Sequence, residues 1–340
     1  MTSRRLSGSV VLFAAVLLGL APTRLLAWGA TGHRLIGRAA MQALPADLPP
    51  FLLNPEAARA VGELAREPDR WKDSGREHDS ERDPAHFFDM ADDGAVFGGP
   101  RIDALPATRE DYEAALRVVG SDSWKAGWLP YAILDASEQL TKDFAYIRIE
   151  TAAAQTVADP AHRAWFAKDL VEREALTLRD IGMLAHYVGD GSQPMHVSVH
   201  YNGWGAFPNP AGYTTARVHA MFEGAFVHDF LKEADVAAAM PPALDCHCPP
   251  ATRVADYLAA TNRQIIPFFE LEKSHAFAGG DPRGVAYAAA RLGAGAAMLR
   301  DLVADAWRRS ADSQAGWPAV RVVDVAAGRV DPFDSLYGAD

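Results

Sequence analysis

Apolar residues return with the period of an α-helix along most of this chain. In the stretch LIGRAAMQAL (35–44), leucine, isoleucine and alanine recur every three or four positions, which places them on one face of a helix. Thr108, with Asp111 three residues later, is expected to begin a further helix as its N-cap. The same periodicity predicts longer helices over four stretches: 131–157, 164–188, 253–272 and 285–311.

Period-two alternation, which marks a half-buried β-strand, is scarce. The stretch AVRVVDV (319–325) is the one candidate for a strand. Because strands and helices do not alternate along the chain, a βαβ arrangement is not expected. The pattern predicts a mainly α protein that folds as a single-domain multi-helix bundle.

The composition agrees with one large folded unit. With 340 residues, 49% of them apolar and 23% charged, the chain can bury a sizeable core. We expect a helical domain over 28–311 and a loosely attached C-terminal tail over 312–340. Stretches rich in proline, glycine and charge predict loops at 72–84, 92–106, 200–214 and 242–252.

Residues 1–27 have the layout of a secretory signal peptide. Arg4 and Arg5 precede a short apolar run, and the small residue Ala27 closes the segment, as cleaved leaders require. The apolar run is too short to span a bilayer, although an uncleaved anchor is the alternative. Cleavage after Ala27 would begin the mature chain at Trp28, with no transmembrane segment and a periplasmic or secreted location.

Charge limits the partners that the whole surface can bind. The net charge is −11, and the leader carries three arginines and no acidic residue, so its removal leaves −14. A broad polyanion-binding surface is therefore not expected. An anionic substrate would need local positive charge, which bound metal ions could supply.

The two cysteines, Cys246 and Cys248, lie one residue apart. Such a short loop makes a poor structural staple. We favour a surface loop in which the thiols are free or form a strained disulfide. A soft metal site or redox tip that also uses His247 is the alternative.

The stretch HYVGDGSQPMH (186–196) holds candidate metal ligands. His186 and Asp190 are four residues apart, as are His219 and Glu223 further on, and this spacing puts each pair on one helix face. A single such pair is more often an ordinary surface or hydrogen-bonded pair. Two pairs together with His196 favour a metal site built from nitrogen and oxygen ligands.

The start of the mature chain could add ligands. Cleavage would free the α-amine of Trp28, with His33 five residues later. A terminal amine and its own carbonyl oxygen can chelate a cation, and the ordinary pKa of an α-amine, about 7.7–8.0, leaves neutral amine near neutral pH.

With these motifs in place, the sequence resembles the superfamily of trinuclear-zinc phosphodiesterases. This superfamily joins single-strand-specific nucleases of the S-one/P-one type with bacterial zinc-dependent phospholipase C. The resemblance covers 28–223 and rests on five motifs: WGATGH (28–33), WKDSGR (71–76), PAHFF (84–88), HYVGDGSQPMH (186–196) and HAMFE (219–223).

The resemblance implies three zinc ions in a cleft and hydrolysis of a phosphodiester by metal-activated water. It also implies two catalytic residues, with Asp73 orienting the water and Arg76 stabilising the transition state. A solvated arginine is the alternative for Arg76. The implied ligands are Asp73, His86, His186 and Asp190 for one zinc, His196, His219 and Glu223 for a second, and Trp28, His33 and a bridging Asp190 for a third.

The branch within the superfamily is less defined. WGATGH and W-x-D-x-x-R resemble the nucleases, whereas Glu223 resembles the phospholipases. We expect a secreted nuclease that prefers single-stranded nucleic acid, with a phospholipase C acting on phospholipid head groups as the alternative. Outside this class, a non-catalytic metal-binding protein or a purely structural secreted domain would also place histidines in a helical core. No stable protein partner is inferred, and manganese or cobalt would suit the same ligands as zinc.

Overall fold

Helices dominate the computed structural model of the protein, which describes residues 28–338. The predicted signal peptide therefore lies outside the described residues. The helices are α1 Ala30–Gln42, α2 Pro55–Leu64, α3 Glu67–Arg70, α4 Arg76–Arg82, α5 Arg109–Val118, α6 Ser123–Ala126, α7 Leu129–Thr156, α8 Pro160–Ser192, α9 Val227–Phe230, α10 Glu233–Ala239, α11 Pro250–Asn262, α12 Ile265–Lys273, α13 Pro282–Ser310, α14 Val322–Ala326 and α15 Phe333–Tyr337. Two short strands, β1 Gln314–Ala315 and β2 Val320–Arg321, pair antiparallel.

Three long helices form the centre of the bundle. α7 and α8 pack against each other along their length, α13 contacts both, and α1 lies against α2, α8 and α13. Buried apolar residues from these helices, such as Ile36, Phe144 and Leu292, belong to one continuous core. The prediction of a mainly α, single-domain protein is confirmed.

Side-chain caps begin several of these helices. The Thr108 hydroxyl accepts a hydrogen bond from the Asp111 backbone N–H at 3.1 Å, so the predicted N-cap of α5 is confirmed. Asp159 and Asp281 accept from backbone N–H groups at the starts of α8 and α13, with proline at the first helical position of each. A cap oxygen satisfies an N–H that the helix itself leaves unpaired.

Glycines allow α1, α2 and α8 to approach one another closely. A Cβ added at Gly37 of α1 would lie 3.0 Å from the Gly62 Cα of α2, and one added at Gly182 of α8 would lie 2.5 Å from the Leu64 Cβ. Larger side chains would separate these helices. The close contacts hold α1 and α2 against the C-terminal half of α8.

Two helical segments differ from the prediction. The stretch 253–272 was expected to be one helix, but it is divided between α11 and α12. Pro267 supplies the reason, because proline lacks the N–H that would bond to the carbonyl four residues earlier. The predicted loop over 72–84 contains α4 and the first half of a 3₁₀ turn, Asp83–His86.

The C-terminal segment is docked rather than loosely attached. Ala315, Val322 and Val325 are buried in a second apolar cluster with Ile149 of α7 and Phe166 of α8. Only the first part of the predicted strand over 319–325 is extended, as β2, and the remainder forms α14. The expectation of loose attachment was wrong because the polar character of the segment concealed these few apolar anchors.

Of the helices described, none combines the length and apolar character needed to cross a bilayer.

Candidate metal centre

The C-terminal end of α8 provides the first part of the site. The helix continues to Ser192, so His186 and Asp190 lie on it one turn apart, and both are fully buried. The His186 Nε2 lies 3.3 Å from the Asp190 Oδ2. The His186 Nδ1 lies 2.8 Å from the carbonyl oxygen of Ala65, which only accepts, so Nδ1 donates and the Nε2 lone pair faces the site.

α1 and a 3₁₀ turn bring two further histidines to this end of α8. The His33 ring stacks on His186 with centroids 4.1 Å apart, and its Nε2 lies 3.6 Å from the Asp190 Oδ1. His86 ends the turn Asp83–His86, and its Nδ1 lies 2.9 Å from the His186 Nε2 and 3.2 Å from the Asp190 Oδ2. Asp190 therefore lies between His33 and His86.

A second group of ligands lies beside the first. His196 ends the 3₁₀ turn Pro194–His196 that follows α8, and its Nδ1 donates to the His86 carbonyl at 2.7 Å. His219 donates through Nδ1 to the Tyr201 carbonyl at 2.7 Å. The Glu223 Oε2 lies 2.6 Å from the His219 Nε2 and 3.7 Å from the His196 Nε2. Glu223 belongs to a π-helical segment, a feature frequent at functional sites.

Several buried ligand atoms lack a hydrogen-bond partner, and such atoms are expected where a metal ion binds. Within the described chain these atoms are both ring nitrogens of His33, the Nε2 atoms of His196 and His219, Asp190 Oδ1 and Glu223 Oε1. Buried polar atoms are normally paired. Lone pairs that converge while the opposite ring nitrogen donates to a carbonyl are the arrangement of metal-binding histidines. The residues fit a divalent cation with nitrogen and oxygen ligands.

Burial and mutual charge shape the titration of these groups. Burial, aided by the nearby His186, lowers the pKa of His33 to about 3. Burial disfavours the charged form of His196, but Asp190 and Glu223 outweigh it and raise the pKa of His196 to about 9. Burial disfavours ionised Glu223, yet His219 and His196 lower its pKa. The positive charge favoured on His196 thus faces buried carboxylates, a role that a bound cation would take over.

Trp28 is packed beside the second group. Its side chain is fully buried, and the indole Nε1 donates to the Ser192 Oγ at 2.8 Å. The next residue, Gly29, donates its backbone N–H to the Glu223 carbonyl at 3.2 Å. The first residue of the expected mature chain therefore lies between the end of α8 and the π-helical segment, while the predicted cleavage site before it lies outside the described residues.

The structure places Asp69, rather than Asp73, with the histidines. Asp69, His86 and His186 have ligand atoms within 4.8 Å of one another. Asp73 is exposed at the mouth of the cleft with a φ of 66°. His33, His186 and Asp190 form another group of three, and His196, His219 and Glu223 a third.

The cation beside the cleft also differs from the prediction: it is Lys72 rather than Arg76. Arg76 is exposed at the start of α4 and is not among the residues that line the cleft, whereas Lys72 lines it. The Lys72 Nζ lies 2.6 Å from the Asp69 Oδ1. Sequence reasoning missed both residues, although Asp69 and Lys72 have the same three-residue spacing as Asp73 and Arg76.

The ligand groups open into a cleft of about 800 Å³. His86, His196 and His219 lie among its lining residues. Burial raises the pKa of Asp89, which also lines the cleft, well above its usual range. Four aromatic side chains that are between 44% and 53% exposed line the cleft and form the aromatic rim. The aromatic rim consists of Phe97, Trp124, Tyr201 and Phe207.

His200, four residues after His196, is occupied elsewhere. Its ring stacks on Trp204 with centroids 3.8 Å apart, and its Nδ1 donates to the Trp204 carbonyl at 2.8 Å. These contacts explain why it belongs to none of the three groups.

The chain matches no protein-family model and no curated protein. Fold and site together define a mainly α protein in which several buried histidine and carboxylate groups could hold metal ions beside an open cleft.

Proposed function

We propose that the protein is a zinc-dependent phosphoric ester hydrolase that cleaves phosphodiester bonds in single-stranded nucleic acid. The observation that carries the proposal is the set of buried ligand atoms of His33, Asp190 and His196 that make no hydrogen bond, next to an open cleft. A storage protein would enclose its ions, whereas catalysis needs access to them. A periplasmic or secreted location is part of the proposal and rests on the predicted leader.

The three ligand groups would hold the zinc ions. Two of the groups share His186, whose single free ring nitrogen would serve one ion, and Asp190 lies within reach of both His33 and His86. Bound divalent cations polarise a phosphoryl group and make water a better nucleophile. The remaining catalytic roles belong to residues of the cleft wall.

Asp69 and Lys72 supply those roles. Burial disfavours the Asp69 carboxylate, but His186 and Lys72 lower its pKa, so it remains an ionised acceptor that can orient water. Burial also disfavours the Lys72 ammonium, but Asp69 raises its pKa, so it remains charged. A fixed ammonium in the cleft can stabilise charge on phosphoryl oxygens in the transition state.

The aromatic rim favours a nucleic acid substrate. Planar side chains that remain exposed at a cleft can stack unpaired bases, at about 1–3 kcal/mol per base. Such stacking requires bases that are free of a duplex, which explains a preference for single strands. Local cations would then overcome the repulsion expected from a net charge of −11.

Phospholipase C activity is the second candidate. The carboxylate of Glu223 in the His196 and His219 group, the feature that resembles the phospholipases, is present and buried. The same aromatic rim would contact acyl chains or a choline head group through its ring faces.

A side-by-side assay tests the proposal. Protein beginning at Trp28 is incubated with single-stranded DNA and with phosphatidylcholine vesicles, and its metal content is measured on the same sample. We expect DNA cleavage that chelation abolishes and zinc restores. Release of phosphocholine alone would favour the phospholipase, and stoichiometric metal with neither activity would favour storage. Protein without bound metal would refute the proposal.

A further inference from the structure

A second chemically active feature lies outside the cleft, in the loop between α10 and α11. Cys246 and Cys248, whose state the sequence left open, form a disulfide there. Both cysteines are partly exposed, and the loop leads directly into α11 at Pro250. An external thiol could therefore reach this disulfide.

Arg253, on the first turn of α11, makes the environment of this disulfide unusual. Its side chain is only 6% exposed, and its Nη2 donates to the Cys246 Sγ at 3.0 Å. Over residues 28–338, no carboxylate lies within ion-pair distance of Arg253. A guanidinium carries a full positive charge, so it attracts a thiolate more strongly than the neutral sulfur of a disulfide.

The other charges of the loop leave Arg253 as the cation that faces sulfur. Asp245, next to Cys246, pairs with Arg308 at 3.1 Å. The backbone N–H of Cys248 also donates to the Cys246 Sγ, at 3.4 Å. Two donors thus converge on one sulfur, close to the N-terminal end of α11, where the helix dipole favours negative charge.

We propose that Cys246–Cys248 is a redox-active disulfide that exchanges with external thiols, such as glutathione or a protein dithiol. The external thiolate attacks the Cys248 Sγ, the sulfur–sulfur bond breaks, and its electron pair passes to the Cys246 Sγ as a thiolate beside Arg253. A second external thiolate then attacks the external sulfur of the mixed disulfide and releases Cys248, which takes a proton. The external thiols are oxidised to a disulfide, the two cysteines are reduced, and one proton enters solvent.

Arg253 sets the direction of this exchange. The thiolate of Cys246 forms an ion pair with the guanidinium that already donates to this sulfur, and the neutral disulfide cannot, so the reduced form is stabilised. A disulfide whose reduced form is stabilised is a strong oxidant. The pair would therefore accept electrons from thiols that leave structural disulfides intact. The proposal does not depend on the hydrolase activity of the cleft.

Glutathione equilibrium tests the proposal on the full mature chain. The protein is equilibrated with mixtures of reduced and oxidised glutathione, trapped with a maleimide and resolved by mass. We expect the pair to be half reduced at glutathione ratios that leave a structural disulfide oxidised. Arg253→Gln should require about tenfold more reduced glutathione, the loss expected for a hydrogen bond to a charged group.

Two variants complete the test. Arg263→Gln removes an exposed arginine just beyond the other end of α11 and should leave the equilibrium unchanged. Arg253→Lys keeps the charge, so the reduced glutathione that it requires should lie between the values for wild type and Arg253→Gln. It replaces the glutamine variant in the test if that variant does not fold. A wild-type disulfide that stays oxidised throughout, or an equal shift in Arg253→Gln and Arg263→Gln, would overturn the proposal.

Discussion

Asp69 is the cleft carboxylate on which the proposed hydrolysis depends. It is held by Lys72 on one side, and it lies with His86 and His186 on the other. An acid in this position can contribute both a ligand atom and a hydrogen-bond acceptor for water, and no neutral isostere replaces both functions. The effect of removing the Asp69 carboxylate can be compared with the effect of removing that of Asp73, an exposed acid four residues later.

Replacing Asp69 by Asn should lower phosphodiesterase turnover about 100-fold, because removal of a single positioned polar group costs roughly that much in a catalytic site. It should also weaken metal binding, measured by metal analysis after dialysis. Asp73→Asn is the matched control and should retain activity and metal. The reverse result would restore the assignment made from the sequence.

Lys72 and Arg76 allow an equivalent comparison for the cation. Lys72→Met should reduce turnover by about 10²–10³ with metal content unchanged, because charge on the phosphoryl oxygens would lose its partner. Arg76→Met should remain near wild type, because this side chain is exposed outside the cleft lining. Single-turnover rates and metal analysis on both variants distinguish the two residues, and equal losses would argue against a specific role for Lys72.

The sequence predicts some residues of the site well because a helix translates spacing into position. His186 with Asp190, and His219 with Glu223, face the same ligand groups as their four-residue spacing requires. Asp69 could not be selected over Asp73 in this way. The backbone between α3 and α4 leaves the helical conformation, with φ of 66° at Asp73 and 109° at Gly75, and no local periodicity reports that turn.

At the scale of helices, the interface between α7 and α8 buries a carboxyl group. Glu150 is fully buried, and neither side-chain oxygen has a hydrogen-bond partner in the described chain. Burial and the nearby Asp169 raise its pKa to about 8, although the Arg173 Nε lies 3.5 Å away. The central helix pair therefore requires a proton at neutral pH.

This requirement makes stability depend on pH. Between about pH 4.5 and pH 8, unfolded Glu150 has lost its proton while folded Glu150 retains it. The free energy of unfolding should therefore fall as pH rises, by at most about 1.4 kcal/mol per pH unit from this group, and level off above pH 8. Glu150→Gln should remove this slope and be more stable than wild type at pH 8. Urea unfolding across pH measures it, with the exposed Glu172→Gln of α8 as a control that should keep the slope.

The long helices themselves follow from local pattern, but their ends and their docking do not. Pro267 divides a continuous apolar pattern into α11 and α12. The C-terminal segment docks through the buried Ala315, Val322 and Val325 and the partly buried Val320, Phe333 and Leu336, which are spaced too irregularly to produce a periodic signal. The helix ends and the docking of the C-terminal segment both depend on which other helices they pack against, and those helices come from distant parts of the chain.

At the scale of the whole molecule, the candidate ligands come from six separate segments. The segments are α1, α3, the 3₁₀ turn Asp83–His86, α8, the turn Pro194–His196 and the stretch around Met221–Phe226, and each contributes at least one ligand residue. A cation held by these residues would connect parts of the chain that are up to 190 residues apart, from His33 to Glu223. Unfolding would separate these ligands, so metal binding and global stability should be linked.

Chelation should therefore lower the melting temperature, and zinc should restore it. A ligand that binds only the native state adds about 2.7 kcal/mol at 100 times its Kd, roughly 5 °C for a chain of this size. Asp190→Asn should lose most of this zinc-dependent increment because Asp190 contacts both His33 and His86. His228→Asn, at an exposed histidine outside the ligand groups, should retain it. Calorimetry with and without zinc on each variant cancels any baseline effect of the substitution. An increment that survives in full in Asp190→Asn would mean that zinc does not bind through Asp190, and only the group of His196, His219 and Glu223, which lacks Asp190, would keep its claim to the metal.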